Sequence, residues 1–137
     1  MKNFKILKKK YEGRSKDSLL VAVVDGKNCP TAAEFYKQIA KALALPNYFG
    51  KNMDALFDML CDFSWADLEQ VHIVLRNYDD LLSEEKDGNL RIDFLIVLHD
   101  SVAEWKSLKS KDALSLEVYV EPNTKFKDDL DAAMEDS

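Results

Sequence analysis

The sequence predicts an α/β domain: a small three-stranded parallel sheet packed with helices, extended at both termini. Three observations carry this. Leu19–Asp25 (LLVAVVD), Val71–Leu75 (VHIVL) and Leu114–Glu121 (LSLEVYVE) have the short, β-branched, apolar character of strands. The stretches between them exceed a dozen residues and carry helical periodicity, which implies parallel pairing through right-handed crossovers. A chain of 137 residues, 47% hydrophobic, is long enough for one core and too short for two.

Each element has a local reason. LLVAVVD is apolar on both faces, which suits a strand buried inside a parallel sheet. Thr31 then caps a helix, with Glu34 three residues on completing a capping box and Ala32, Phe35, Ile39, Ala42 and Leu43 as its apolar face. That helix runs to about Leu45, because the residue before Pro46 avoids the α region. A short helix opened by Asn52 follows, then an irregular segment up to the VHIVL strand. Asn77–Leu82 reads as a helical turn and Ser83–Gly88 as a polar loop. A long helix is predicted over Asn89–Leu108, with Ile92, Leu95, Ile96, Val102 and Ala103 inward. LSLEVYVE alternates, which suits an edge strand with one wetter face, and Pro122 stops it. Phe126, Leu130, Ala133 and Met134 give the tail an amphipathic pattern, so a terminal helix is expected with its last acidic residues frayed. The organisation is thus a basic extension over residues 1–18, the domain over 19–121, and an acidic helical tail over 122–137.

The net charge of −6 conceals an asymmetry. Residues 1–16 hold Lys2, Lys5, Lys8, Lys9, Lys10, Arg14 and Lys16 against Glu12, a net +6, so the remaining 121 residues carry −12. An acidic body does not grip nucleic acid; it steers and docks a basic protein. The basic arm is expected to be a partly ordered surface segment. There is no run of 18 apolar residues, and the start, MKNFKILKKKYEGRSK, is too polar for a signal peptide, so a cytoplasmic protein without membrane contact is expected. Cys29 and Cys61 lie on different elements without paired-cysteine spacing, which indicates neither a zinc site nor a disulfide framework.

The most informative stretch is Leu45–Phe63, LPNYFGKNMDALFDMLCDF. At 100° per residue, Met53, Leu56, Phe57, Leu60 and Phe63 gather on one side, which must be core, while Asp54, Asp58 and Asp62 climb the other at i, i+4, i+8. Stacked carboxylates are mildly destabilising to each other, and Asp is a mediocre helix-interior residue. Composition alone reads them as a solvated face. The preceding loop, Asn47 to Asn52, adds two adjacent aromatics that cannot easily both point inward, and an exposed tyrosine beside an acidic ridge has the character of a binding surface.

The segment LALPNYFGKNMDALFDML (Leu43–Leu60) resembles the signature of the barstar family of intracellular ribonuclease inhibitors and related immunity proteins. The resemblance implies the same small parallel α/β fold and an inhibitor that binds a basic ribonuclease or toxin nuclease, with the loop and following helix entering the nuclease active site. It places Tyr48, Gly50, Asn52, Met53, Asp54, Phe57 and Asp58 on contact positions, with Asp58 the principal anchor. On the long helix, FLIVLHDSVAEW puts Val97, Asp100 and Glu104 on further contact positions, by helix pattern rather than by motif. A nuclease cleft must be lined with cations to hold phosphate, so an acidic ridge is complementary to it. Two departures stand out: Phe57 occupies a position where the family usually has Trp, and Lys51 puts a positive charge where an acidic residue is common. One misplaced charge in a desolvated interface is costly, so both bear on which nuclease is bound.

No enzyme, cofactor or metal site is indicated. His72 falls in a predicted strand and His99 on a helix, neither beside a Ser or Cys nucleophile pattern, and there is no Gly-rich phosphate loop or HExxH motif. A straight stripe of Asp54, Asp58 and Asp62 spreads its oxygens too far to wrap one ion. The expected function is inhibition of a nuclease by a chain that is monomeric when free. The alternative is a protein-interaction module of the same fold whose partner is not a nuclease.

Overall fold

The β-branched run Leu19–Asp25 forms β2 with the predicted boundaries, Gln70–Arg76 forms β3 and Ser115–Val120 forms β4. These are seen in a computed structural model of the chain, which describes residues 3–108 and 113–136. A fourth strand, β1 (Lys5–Ile6), comes from the basic arm. The sheet is therefore four-stranded, ordered β1-β4-β3-β2, with every pairing parallel and in register from Val21↔His72 and Val23↔Val74 on one side to Ile73↔Val118 and Ile6↔Val120 on the other.

The strand order differs from expectation at two places. β4 is interior, because Lys5–Ile6 pairs along its far side, and β2 lies at the sheet edge. The apolar second face of β2 still has a use: Ser15 Oγ accepts from Val21 N–H at 2.8 Å, and Val23 lines a hollow beneath residues 10–14. Apolarity on both faces marks cover on both faces, and here the arm supplies one of them.

The helices are α1 (Ala32–Ala42), α2 (Met53–Leu60), α3 (Leu90–Ser107) and α4 (Phe126–Asp136). All pack on one face of the sheet, where Ala22, Val24, Ile73, Leu75, Val118 and Val120 meet Phe35, Ile39, Leu56, Leu60, Phe94, Leu98 and Leu130. α1 is capped as expected, Thr31 Oγ1 accepting from Glu34 N–H, but it stops at Ala42, three residues early, where Leu43 and Ala44 wind into a left-handed close (Ala44 φ 50°) and Leu45 N–H bonds back to Ala40 O at 2.9 Å. On α3 the buried stripe is Phe94, Leu95, Leu98, Ser101 and Val102; Ile92 and Ile96 are half-buried, and Ala103 is exposed rather than inward. Nearly the whole first half of this helix is apolar, so periodicity alone could not select its stripe.

α4 is set against α3 by polar clamps. Arg91 Nε donates to Asp129 Oδ2 at 2.7 Å, the Tyr78 hydroxyl donates to the same oxygen at 2.8 Å, and Asp79 accepts from Thr124 N–H and Lys125 N–H at the start of α4. Phe126, Leu130 and Ala133 are buried, as the amphipathic pattern required. A glycine is needed at position 26, where a Cβ would overlap the Asn77 carbonyl; Asn77 itself sits at φ 51° and donates its side-chain amide to Asp25 at 2.8 Å. Lys2 and Ser137 lie outside the described residues.

Candidate functional site

After α1 the chain turns at Pro46, whose carbonyl accepts from Phe49 N–H at 3.0 Å. The two aromatics separate: Phe49 is only 7% exposed and lies edge-on to Tyr36, whereas Tyr48 is 64% exposed. Gly50 and Lys51 follow, Lys51 at φ 53°, and then Asn52 closes the loop twice: its Oδ1 accepts from Ala55 N–H at 2.8 Å as the N-cap of α2, and its Nδ2 donates to Gly50 O at 3.3 Å. A single residue thereby fixes both the loop shape and the first turn of the helix. Asp54, in that first turn, and Asp58, one turn later, are exposed. The position of Asp54 also suits the positive end of the helix dipole.

The apolar side of α2 is narrower than predicted. Leu56 and Leu60 are buried and Met53 packs at the core margin, but Phe57 is half-buried and stands outside the core cluster. The helix ends at Leu60, with Cys61 as C-cap and buried Phe63 at φ 55°, so Asp62 leaves the stripe and instead accepts from Ser64 Oγ at 3.0 Å. Two carboxylates, not three, ride this helix.

α3 lies alongside. Trp105 Nε1 donates to Leu60 O at 2.7 Å, satisfying one of the carbonyls that a helix C-terminus leaves without an internal partner. Ser101 is buried and donates to Val97 O at 2.7 Å. Val97 is half-buried against the core, while Asp100 and Glu104 are exposed. His99 Nδ1 stands 3.3 Å from Asp100 Oδ1. Burial raises the Cys61 pKa; the Ser101 hydroxyl opposes this, while Glu104, Asp58 and Asp100 add to it. Tyr48, Gly50, Asn52, Met53, Asp54, Phe57 and Asp58 follow one another along the loop and α2, and α3, packed beside α2, carries exposed Asp100 and Glu104.

Two residues of this junction, Ser101 and Trp105, were not singled out by the sequence reading. Only Trp105 carried a signal: an indole in an otherwise polar last turn usually has an N–H partner to reach. Among the described residues no group of His, Cys, Asp and Glu is arranged to hold a metal ion, and no helix is long and apolar enough to cross a membrane.

Fold and surface define a class: a small parallel α/β domain whose outer helices carry paired carboxylates beside an exposed tyrosine loop. The chain belongs to the barstar family, matching the family described as Barstar (barnase inhibitor) over residues 19–121. A Bacillus subtilis (strain 168) protein named "Putative ribonuclease inhibitor YrdF" is 30% identical to it over 84 residues, 61% of this chain and 87% of the relative. At the level of the family, then, both matches point to an inhibitor rather than an enzyme.

Proposed function

We propose that the protein binds a basic ribonuclease, or a related toxin nuclease, in the cytoplasm and blocks its active site, as an immunity protein or antitoxin does. Asp58 is the anchor; Tyr48, Gly50, Asn52, Met53, Asp54 and Phe57 surround it, and Val97, Asp100 and Glu104 complete the surface from α3. The observation that supports this reading is the Trp105 Nε1–Leu60 O bond at 2.7 Å, which holds α2, with exposed Asp54 and Asp58, against α3, with exposed Asp100 and Glu104. A nuclease active site concentrates cations to hold phosphate, and carboxylates there replace the charge of the substrate without any chemistry of their own.

Inhibition of the nuclease secreted by the source cells tests it. Asp58→Ala should weaken inhibition by ~30-fold or more, equivalent to roughly 2 kcal/mol, as expected for a central charged contact. Its thermal midpoint should stay unchanged, because an exposed carboxylate contributes little to folding. Lys51 favours a second reading, a non-nuclease partner: it is exposed at φ 53° within the acidic surface, where it would face the cations of a nuclease. Unimpaired partner binding by Asp58→Ala would favour that second reading.

A further inference from the structure

The face of the sheet turned away from the helices is covered by the basic arm. Tyr11 is its pin: the hydroxyl lies 2.8 Å from His72 Nδ1, the ring packs 4.9 Å from Tyr119, and the backbone N–H donates to Glu121 Oε2 at 2.8 Å. Glu121 is held in turn by Arg76 Nε at 2.8 Å, and Lys16 pairs with Leu19 as the arm enters β2. Val74 is fully buried although it lies outside the helix-side core. Gly13 passes so close to the Tyr11 phenol that a Cβ there would overlap it. A solvated tail needs none of this anchoring.

The anchored segment holds its cations in a curve. On one side of Lys10–Tyr11–Glu12 lies a hollow of ≈ 700 Å³ lined by Lys8, Lys9 and Lys10; on the other, one of ≈ 580 Å³ lined by Lys10, Arg14 and Arg76. Lys8, Lys9, Lys10 and Arg14 are exposed, and none is within ion-pair distance of a carboxylate among the described residues. Lys5 is committed to Glu117 at 2.8 Å. Of the nearby acids, Glu121 is taken up by Arg76 and the Tyr11 N–H, Asp25 acts on Arg76, and Glu12, which lines both hollows, is outnumbered there by Lys8, Lys9, Lys10 and Arg14.

We propose that residues 8–14 form a binding surface for the phosphate backbone of single-stranded RNA. Two adjoining concave hollows sharing Lys10 suit a flexible phosphodiester chain, which tracks a positively charged groove, and suit a broad vesicle surface poorly. The helices that carry Asp54, Asp58, Asp100 and Glu104 pack on the opposite face of the sheet, and those carboxylates and the arm's cations are both exposed, so solvent and salt screen one from the other. The expectation that the acidic body keeps nucleic acid away therefore applies to the helix side alone. This surface is separate from the Asp58 patch and does not depend on the nuclease reading.

The test is fluorescence anisotropy of a labelled single-stranded oligoribonucleotide with the full chain, the quadruple variant Lys8→Ser/Lys9→Ser/Lys10→Ser/Arg14→Ser, and Asp58→Ala, beside flotation with phosphatidylserine vesicles. Wild type and Asp58→Ala should bind the RNA equally, and the quadruple variant should lose at least tenfold in affinity. With four cations engaged, wild-type affinity should fall about 50-fold between 50 and 200 mM salt. The salt titration uses the unmodified protein and so stands even if the variant misfolds. Absent or salt-insensitive binding, an unimpaired quadruple variant, or vesicle binding without RNA binding would each overturn the proposal.

Discussion

Trp105 Nε1 donates to the carbonyl of Leu60 at 2.7 Å, and this one bond joins the C-terminus of α2 to the last turns of α3. It adds to the core packing between the two helices: Asp58 lies half a turn before Leu60 on one side and Glu104 beside Trp105 on the other. Trp105→Phe keeps an aromatic ring and removes the donor, leaving a backbone acceptor without its partner. The variant should lose about 1–2 kcal/mol, a fall of several degrees in thermal midpoint. Nuclease affinity should also fall, through faster dissociation. Calorimetry and stopped-flow dissociation by competitor displacement read the two effects separately.

Leu56 and Phe57 are neighbours on α2 with opposite surroundings, the first buried in the core and the second outside it. Leu56→Ala should cost about 2–5 kcal/mol, as core truncations do. Phe57→Ala should cost well under half of that and weaken partner binding instead. Urea titrations of the two variants make the comparison directly.

Ala44 closes α1 at φ 50°, a conformation that burdens any residue with a Cβ. Ala44→Gly relieves that strain, less the extra freedom glycine gives the unfolded chain, and should stabilise the protein by about 0.5–1 kcal/mol. An upward shift of the urea midpoint at constant slope would show it.

Acid should weaken the fold in two stages. Burial lowers the pKa of His72, against the pull of Glu117 at 3.1 Å, which is close enough for ion pairing yet not aligned as a hydrogen bond. The unfolded chain thus takes up a proton, at the usual value near 6.5, that the folded chain resists, and this stability, complete above ~6.5, is lost as pH falls below it. Glu117, Glu121 and Asp79 lie below the usual carboxylate range: burial works against them, but bonds from Lys5 and Tyr119, from Arg76 and Tyr11 N–H, and from Thr124 and Lys125 outweigh it. Their contribution is present above the unfolded values near 4 and is lost as pH falls through and below them. Urea midpoints from pH 8 to 3 should show both stages, and His72→Gln should remove the upper one.

Much of this was legible in the residues. β-branched runs marked the three long strands, Thr31 and Asn52 announced their caps, and the Tyr-Phe pair in a tight loop predicted one ring inside and one outside. What was hidden depended on contacts across the chain. Lys5–Ile6 is too short to read as a strand and becomes one only beside β4, which it makes an interior strand. Asp62 left its stripe because Phe63 turns left-handed after Leu60. The meeting of α2 with α3 at Cys61 and Ser101 involves residues forty positions apart with no pattern to link them.

The proposed grip of Asp54 and Asp58 on a basic nuclease is tested most directly by capture. Wild type and Asp54→Ala/Asp58→Ala, immobilised in parallel and exposed to lysate and secreted protein from the source cells, would have their retained proteins identified by mass spectrometry. A basic nuclease held by wild type and absent from the double variant is the expected result. A partner that is not a nuclease, retained equally by both, would contradict it.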